Sequence, residues 1–136
     1  MTVSFQITGN LQSPVTTALD STSETDVFEP ATTGQYTVIA IAVANVDTSN
    51  ACRATVRWSD GSTSNVLFTD SVAAGETIMV PVVPIPLFPN ATDGNGVAKK
   101  ITAQAENADD LVVTVIATLA SAVRADANYA GTAGFR

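Results

Sequence analysis

The chain has 136 residues and a formal net charge of −7, from 13 Asp and Glu residues against 6 Lys and Arg residues. This length fits one domain with a single ordinary hydrophobic core. Because the sequence has no His and one Cys, it cannot form a Ser-His-Asp triad, a Cys-His dyad or a zinc site with Cys and His ligands. The acidic balance, without a concentrated basic patch, predicts neither a nucleic acid nor an anionic membrane as a partner.

The first predicted strand covers residues 2–8, where Val3, Phe5 and Ile7 alternate with polar side chains. This strand forms an edge of the domain or reaches onto a neighbouring subunit. Residues 9–23 are rich in Ser, Thr, Asn and Pro and lack periodicity, so they are predicted to form an extended connection. Neither a secretory signal nor a membrane span is predicted, because no cationic start precedes an apolar run and no apolar run is long enough.

After a short strand at residues 25–29, the segment 36–46 is apolar on both faces. Its large side chains, Ile39, Ile41 and Val43, share one face, and alanines occupy the other. This pattern predicts a central strand that is covered on both sides. The alanine face would allow another backbone layer to approach closely, from the same domain or from another subunit.

Residues 51–58 show the clearest alternation in the chain. Cys52, Val56 and Trp58 are predicted to point inward, so Trp58 lies in the core rather than stacking on a sugar. The dipeptide Asp60-Gly61 then favours a tight hairpin that leads into a strand at residues 63–70. A further short strand begins at residue 77.

Proline is frequent in residues 81–89. Because proline lacks a backbone N–H, this segment is predicted to cross from one sheet to the other along the surface. Its apolar residues Leu87 and Phe88 then need cover, so both are predicted to lie at an interface. Residues 90–96 resemble a calcium loop, but Ala91 and Thr102 occupy places where the EF-hand pattern requires acidic ligands. No metal and no cofactor is therefore predicted.

Two more strands, at residues 100–106 and 111–120, complete a series of about eight that are separated by Gly, Pro, Asn and Asp turns. This series predicts an all-β protein, an antiparallel β-sandwich or jelly roll with an extended N-terminal segment and a C-terminal arm. The predicted parts are the N-terminal strand and connection (1–24), the sandwich (25–120) and the arm (121–136). The arm carries Tyr129 and Phe135, which are predicted to contact a partner.

No enzyme activity is predicted. A glycosidase needs two carboxylates that face each other across a cleft, and the sequence does not indicate such a pair. Asp109 and Asp110 are adjacent in a predicted turn, which is typical of a solvated acidic loop.

Three segments resemble a diffuse group of small bacteriophage virion proteins: Val43-Ala44-Asn45, Ala74-Gly75-Glu76-Thr77 and Leu111-Val112-Val113-Thr114-Val115. The resemblance covers residues 26–120. It implies a β-sandwich that serves as an assembly part of the virion, such as a capsid decoration protein, a head-tail junction component or a tail component. The N-terminal segment, the proline-rich segment and the arm depart from the shorter versions of this pattern, and we expect subunit contacts there.

The expected partners are further copies of the chain, as a trimer or a ring, and other virion proteins. Symmetric closure would cover the apolar surfaces predicted above. An alternative hypothesis is a carbohydrate-binding or adhesive module. That function needs exposed aromatic rings beside Asn and Asp, and Tyr36, Phe88 and Tyr129 are the available rings.

Overall fold

The computed structural model describes residues 10–30, 35–59, 63–82, 84–87 and 99–120. Within these residues the secondary structure consists of strands and turns, without a helix. The ten strands are β1 (Asn10–Leu11), β2 (Val15–Leu19), β3 (Thr25–Phe28), β4 (Gln35–Asn45), β5 (Cys52–Ser59), β6 (Ser64–Val72), β7 (Thr77–Met79), β8 (Ile85–Leu87), β9 (Lys100–Ala105) and β10 (Leu111–Ala120). No helix in this part of the chain is long and apolar enough to cross a membrane.

The strands form two antiparallel sheets, one of six strands and one of four. In the first sheet, β10 and β4 lie side by side in the centre. β1 and β2 share the edge beside β10, and β7 and β8 share the edge beside β4. In the second sheet, the order is β3, β9, β5 and β6. Because two strands share each edge of the first sheet, the ten strands occupy four positions in each sheet.

The pairs are nested along the chain: β2 with β10, β3 with β9, β4 with β7 and β8, and β5 with β6. Such nesting arises when one long antiparallel hairpin is folded over twice, and it gives the connectivity of a jelly roll. The prediction of an antiparallel β-sandwich is therefore confirmed.

The core lies between the two sheets and is built from the inward side chains of nearly every strand. Alternation supplies these side chains because successive residues of a strand point to opposite faces. Residues Cys52, Ala54 and Val56 of β5 are buried, as their alternation predicts, and Trp58 packs against the same cluster while remaining half-buried. The largest fully buried side chains are Leu19, Ile41, Leu87, Ile101 and Leu111.

The central strand β4 differs from its predicted pattern at one position. The register between β4 and β10 shifts where Ile116 faces Ala40 and Ala117 faces Val38, so Ile39 is the additional residue of a β-bulge. Val38, rather than Ile39, is therefore fully buried on the core side with Ile41. A bulge depends on the partner strand, and the periodicity of one strand does not reveal it.

Two predicted connections contain strands. The predicted extended connection at residues 9–23 includes β2, which pairs with β10 from Leu111 to Val115. The proline-rich segment was predicted to cross between the sheets, but Ile85–Leu87 pairs with β4 in the first sheet. Pro86 is tolerated because β8 lies at the sheet edge, where a missing N–H does not interrupt a ladder on both sides.

Candidate interaction surface

The two sheets differ in charge. None of the six strands of the first sheet contains an Asp, Glu, Lys or Arg residue, although 14% of the whole chain is charged. Each strand of the second sheet contains at least one: Asp26 in β3, Arg53 and Arg57 in β5, Asp70 in β6 and Lys100 in β9.

Strand register identifies the side chains on the outer face of the first sheet. Residues that lie opposite each other in an antiparallel pair point to the same side. Because Val113 and Val115 are buried in the core, their neighbours along β10 and the partners of those neighbours point outward. We call this set the uncharged face: Thr16 and Ala18 of β2, Ala40, Ala42 and Ala44 of β4, Thr77 and Met79 of β7, and Val112, Thr114 and Ile116 of β10.

The uncharged face is shallow and apolar. Its alanines and β-branched residues are short, and Met79, which is 60% exposed, is its one long side chain. The hydroxyl oxygens of Thr16 and Thr114 lie 3.2 Å apart across the β2–β10 pair. Hydroxyls and methyl groups thus make up this surface, and a charged ligand would find no counter-charge on it.

The outer face of the second sheet is polar and internally paired. The Arg57 guanidinium donates to the Gln104 side chain at 3.0 Å and lies 3.8 Å from the Glu24 carboxylate. Lys100 forms an ion pair with Asp26 at 3.1 Å. Such a surface is suited to water, and its paired groups would lose hydration if a partner covered them. The two outer faces are therefore chemically distinct.

Two of the segments that resemble virion proteins meet at one corner of the sandwich. The backbone N–H of Asn45 donates to the carbonyl of Glu76 at 2.8 Å, and the N–H of Gly75 donates to the carbonyl of Asp47 at 2.9 Å. Gly75 adopts a φ of 70°, a left-handed conformation that glycine reaches without a Cβ clash. These residues join the turn after β4 to the turn before β7, so their contacts are structural.

An open groove of about 380 Å³ lies elsewhere on the sandwich. It is lined by Gln12, Ser13, Val15, Phe28, Glu29 and Tyr36. The rings of Phe28 and Tyr36 meet edge to face with centroids 5.5 Å apart. The groove therefore combines an aromatic wall with polar side chains.

The predicted interface residues fall in different parts of the chain. Leu87 is fully buried in the core of the sandwich, where it lies opposite Tyr36 in the β8–β4 pair. Phe88, Tyr129 and Phe135 lie outside the described residues. The interface assigned to these four residues stays a prediction.

The described residues contain no group of three or more Cys, Asp or Glu side chains that could hold a metal ion. The segment at residues 90–96 lies outside them. Cys52 is a free, fully buried thiol, as its alternation with Ala54 and Val56 predicts.

The uncharged face could have been found in the sequence. The signal is the absence of charge from every segment that becomes a strand of the first sheet, including residues 15–19 and 111–120. What the sequence does not show is that these distant segments lie side by side. The alanines of β4 stand out in the sequence, but their pairing with β10 and β7 does not.

The class that the fold defines is an all-β sandwich with jelly-roll connectivity. No protein-family model matches the chain, and a search of curated proteins finds no match.

Among solved structures, the chain is similar to a protein described under "Bacillus endospore appendages form a novel family of disulfide-linked pili", with 15% identity and a TM-score of 0.46, over 89% of this chain and 100% of that one. It is also similar to a pentameric capsid protein from metagenomic phage sequences, with 18% identity and a TM-score of 0.36, over 78% of this chain and 62% of that one. A third similarity is to the CBM22-1–GH10 modules of xylanase 10B from Clostridium thermocellum, with 15% identity and a TM-score of 0.37, over 82% of this chain and 22% of that one. At these values no family is shown.

Proposed function

We propose that this chain is a structural protein of a bacteriophage virion that works by oligomerising and binding the particle surface. It would act as a capsid decoration or cement protein, or as an accessory component of the head-tail junction or tail. This function needs no catalytic group and no cofactor. It requires surfaces that fit other protein molecules.

The observation that carries the proposal is the uncharged face. Monomers commonly expose apolar patches of only a few hundred Å², and the largest such patch is often a functional site. Here the patch covers the centre of a six-stranded sheet, whereas the outer face of the second sheet bears ion pairs. A division of this kind favours a protein that is buried on one side within an assembly.

The resemblance of residues 26–120 to small virion proteins, in the three segments described above, supports a virion as that assembly. The contacts predicted for Tyr129 and Phe135 extend the proposal to a partner-binding role of the C-terminal arm, separate from the sandwich.

The test is co-expression of the chain with the structural proteins encoded by its neighbouring genes, followed by density-gradient purification of the particles formed. We expect the chain to sediment with these particles in a fixed copy number, measured by mass spectrometry. Truncation after Ala122 removes residues 123–136 of the arm without shortening β10, which ends at Ala120. The truncated chain should keep its melting temperature and show particle affinity at least about tenfold weaker.

A full-length chain that stays at the top of the gradient with every particle produced would disprove the proposal. An equal copy number for the truncated and full-length chains would show that the arm does not contribute to particle binding.

One observation favours the alternative function, a carbohydrate-binding or adhesive module. The groove beside Phe28 and Tyr36 has a volume within the ordinary range for ligand pockets, and Gln12, Ser13 and Glu29 supply hydrogen-bonding groups. A glycan array on which the chain binds a defined sugar, and the Tyr36→Ala variant does not, would favour this function over the virion proposal.

A further inference from the structure

We propose that the uncharged face packs against the same face of a second copy of this chain, related by a two-fold axis near Thr114 and Ala42. This inference deepens the proposed function, on which it rests, by naming the first partner of the sandwich. The contact is sheet on sheet and is separate from any contact made by the C-terminal arm.

Charge is the first argument for a second copy. The chain carries a net charge of −7, so two copies repel each other in most orientations. Packing the two uncharged faces brings the copies together where neither presents a charged side chain. A partner that binds through charge would gain nothing from this surface, and a small ligand would find a flat surface rather than a concave one.

The shape of the face is the second argument. Two sheets stack about 10 Å apart when their facing side chains interdigitate. The alanines of β4 leave shallow depressions, and the neighbouring Val112, Thr114 and Ile116 of β10 stand higher because they are larger. A two-fold axis between β4 and β10 places the larger side chains of one copy over the alanines of the other. The face is therefore complementary to itself.

Two of the sheet edges, β6 and the edge shared by β7 and β8, are poorly suited to self-association, which is the third argument. The edge strand β6 has a bulge at Leu67. Asp70 of β6 lies opposite the buried residue Ala54, so its side chain is on the face of the strand that points toward the core. β7 and β8 are each three residues long and are separated by a segment that contains Pro81 and Pro84. Bulges, inward charges, short strands and prolines are the devices that prevent edge-to-edge pairing.

The size of the face predicts a weak contact. Four strand positions about 4.8 Å apart and about five residues along each strand give a planar footprint of roughly 300 Å². A standard interface buries about 800 Å² per partner. We therefore expect a dimer that forms reversibly and becomes abundant only at high protein concentration.

The test is sedimentation of the full-length chain over a range of protein concentrations. The wild type is compared with two variants, each of which carries one added lysine on the outer face of one sheet. Thr114→Lys places a cation in the centre of the uncharged face. The matched control is Thr55→Lys, because Thr55 and Thr69 form the equivalent threonine pair on the second sheet, also at 3.2 Å. Both side chains point away from the core, so both variants should keep the wild-type melting temperature.

We expect the wild-type chain and Thr55→Lys to dimerise equally, and Thr114→Lys to dimerise at least about tenfold more weakly, because two lysines then meet without counter-charges. Thr114→Glu alone should be weakened in the same way. An equimolar mixture of Thr114→Lys and Thr114→Glu should recover association as a heterodimer. That recovery requires position 114 of one copy to lie close to position 114 of the other.

Two results would overturn the inference: a wild-type chain that is monomeric at every concentration, and a Thr114→Lys variant that dimerises as the wild type does. If the monomeric wild-type chain dimerises after truncation following Ala122, the face is assigned to the chain's own C-terminal residues. The particle assay separates this inference from the proposed function. A monomeric chain that still binds particles contradicts this inference and the oligomerisation in the proposed function, but it leaves particle binding standing. A chain that dimerises through Thr114 but binds no particle contradicts only the proposed function.

Discussion

Asn45 shows how a single buried polar residue joins three parts of the sandwich. Its side-chain amide donates to the carbonyls of Asn50 and Val72, both at 2.9 Å, and its side-chain oxygen accepts from the N–H of Asp47 at 2.9 Å. Removing the amide would delete all three hydrogen bonds. Asn45 is part of the Val43-Ala44-Asn45 segment that resembles virion proteins. Its presence there is explained by these hydrogen bonds within the fold and not by contact with a partner.

We predict that Asn45→Ala lowers the free energy of unfolding by about 1–3 kcal/mol, because it leaves a buried carbonyl without its donor. Urea denaturation followed by Trp58 fluorescence measures this change. Asn65→Ala is the control, because Asn65 is exposed on β6, and it should shift stability by at most about 0.5 kcal/mol. Equal losses for the two variants would show that the Asn45 hydrogen bonds contribute little.

At the scale of an element, the turn between β4 and β5 is organised by a carboxylate. Asp47 accepts hydrogen bonds from the backbone N–H of Ser49 at 2.7 Å, from the Asn50 side chain at 3.2 Å and from the Asn50 backbone at 3.2 Å. The Ser49 N–H makes the largest contribution to holding the pKa of Asp47 below its usual value, and the Asn50 side chain adds to it. These bonds favour the ionised form.

This lowered pKa predicts an acid-sensitive turn. Because the pKa is lower in the folded chain than in the unfolded chain, the stabilisation is present above the unfolded value of about 4 and is lost as the pH falls through the folded value. We expect Asp47→Asn to be less stable than the wild type near neutral pH, with the difference shrinking on acidification. Urea denaturation at a series of pH values measures both curves.

Thr48→Ala serves as the control, since it changes the same turn without removing a titrating group. Its stability curve should run parallel to that of the wild type through the acid range. If the Asp47→Asn curve ran parallel as well, Asp47 would not be the group responsible.

At the scale of the whole molecule, β2 completes the first sheet. Leu19, at the end of β2, is fully buried and lies opposite Leu111 of β10. It therefore belongs to the same core as strands that are about a hundred residues away in sequence. Leu11 of β1 lies along the same sheet edge but is 62% exposed.

We predict that Leu19→Ala lowers the free energy of unfolding by about 2–5 kcal/mol, because it removes apolar contacts and leaves a cavity between the sheets. Leu11→Ala makes the same chemical change on an exposed side chain and should have an effect of at most about 0.5 kcal/mol. Thermal denaturation of both variants is the measurement. If Leu11→Ala lowered the free energy of unfolding as much as Leu19→Ala does, burial of the side chain would not explain the loss of stability.

The class of fold could be predicted from local patterns. Cys52, Ala54 and Val56 point into the core because a strand alternates its side chains, and this property needs no knowledge of the partner strand. Gly75 marks its turn for an equally local reason, since its backbone adopts a positive φ. β2 escaped prediction because its Ser-, Thr- and Pro-rich surroundings are typical of a connection, and only its pairing with β10 makes it a strand.

Composition and residue order are enough to predict an acidic all-β chain without His and to locate the segments that carry no charge. That those uncharged segments form one sheet, and that a bulge at Ile39 buries Val38 in its place, follows from strand pairing. The physical reason is that alternation and turn chemistry act between neighbours along the chain. Strand order and register instead depend on which distant strands bury each other's apolar side chains.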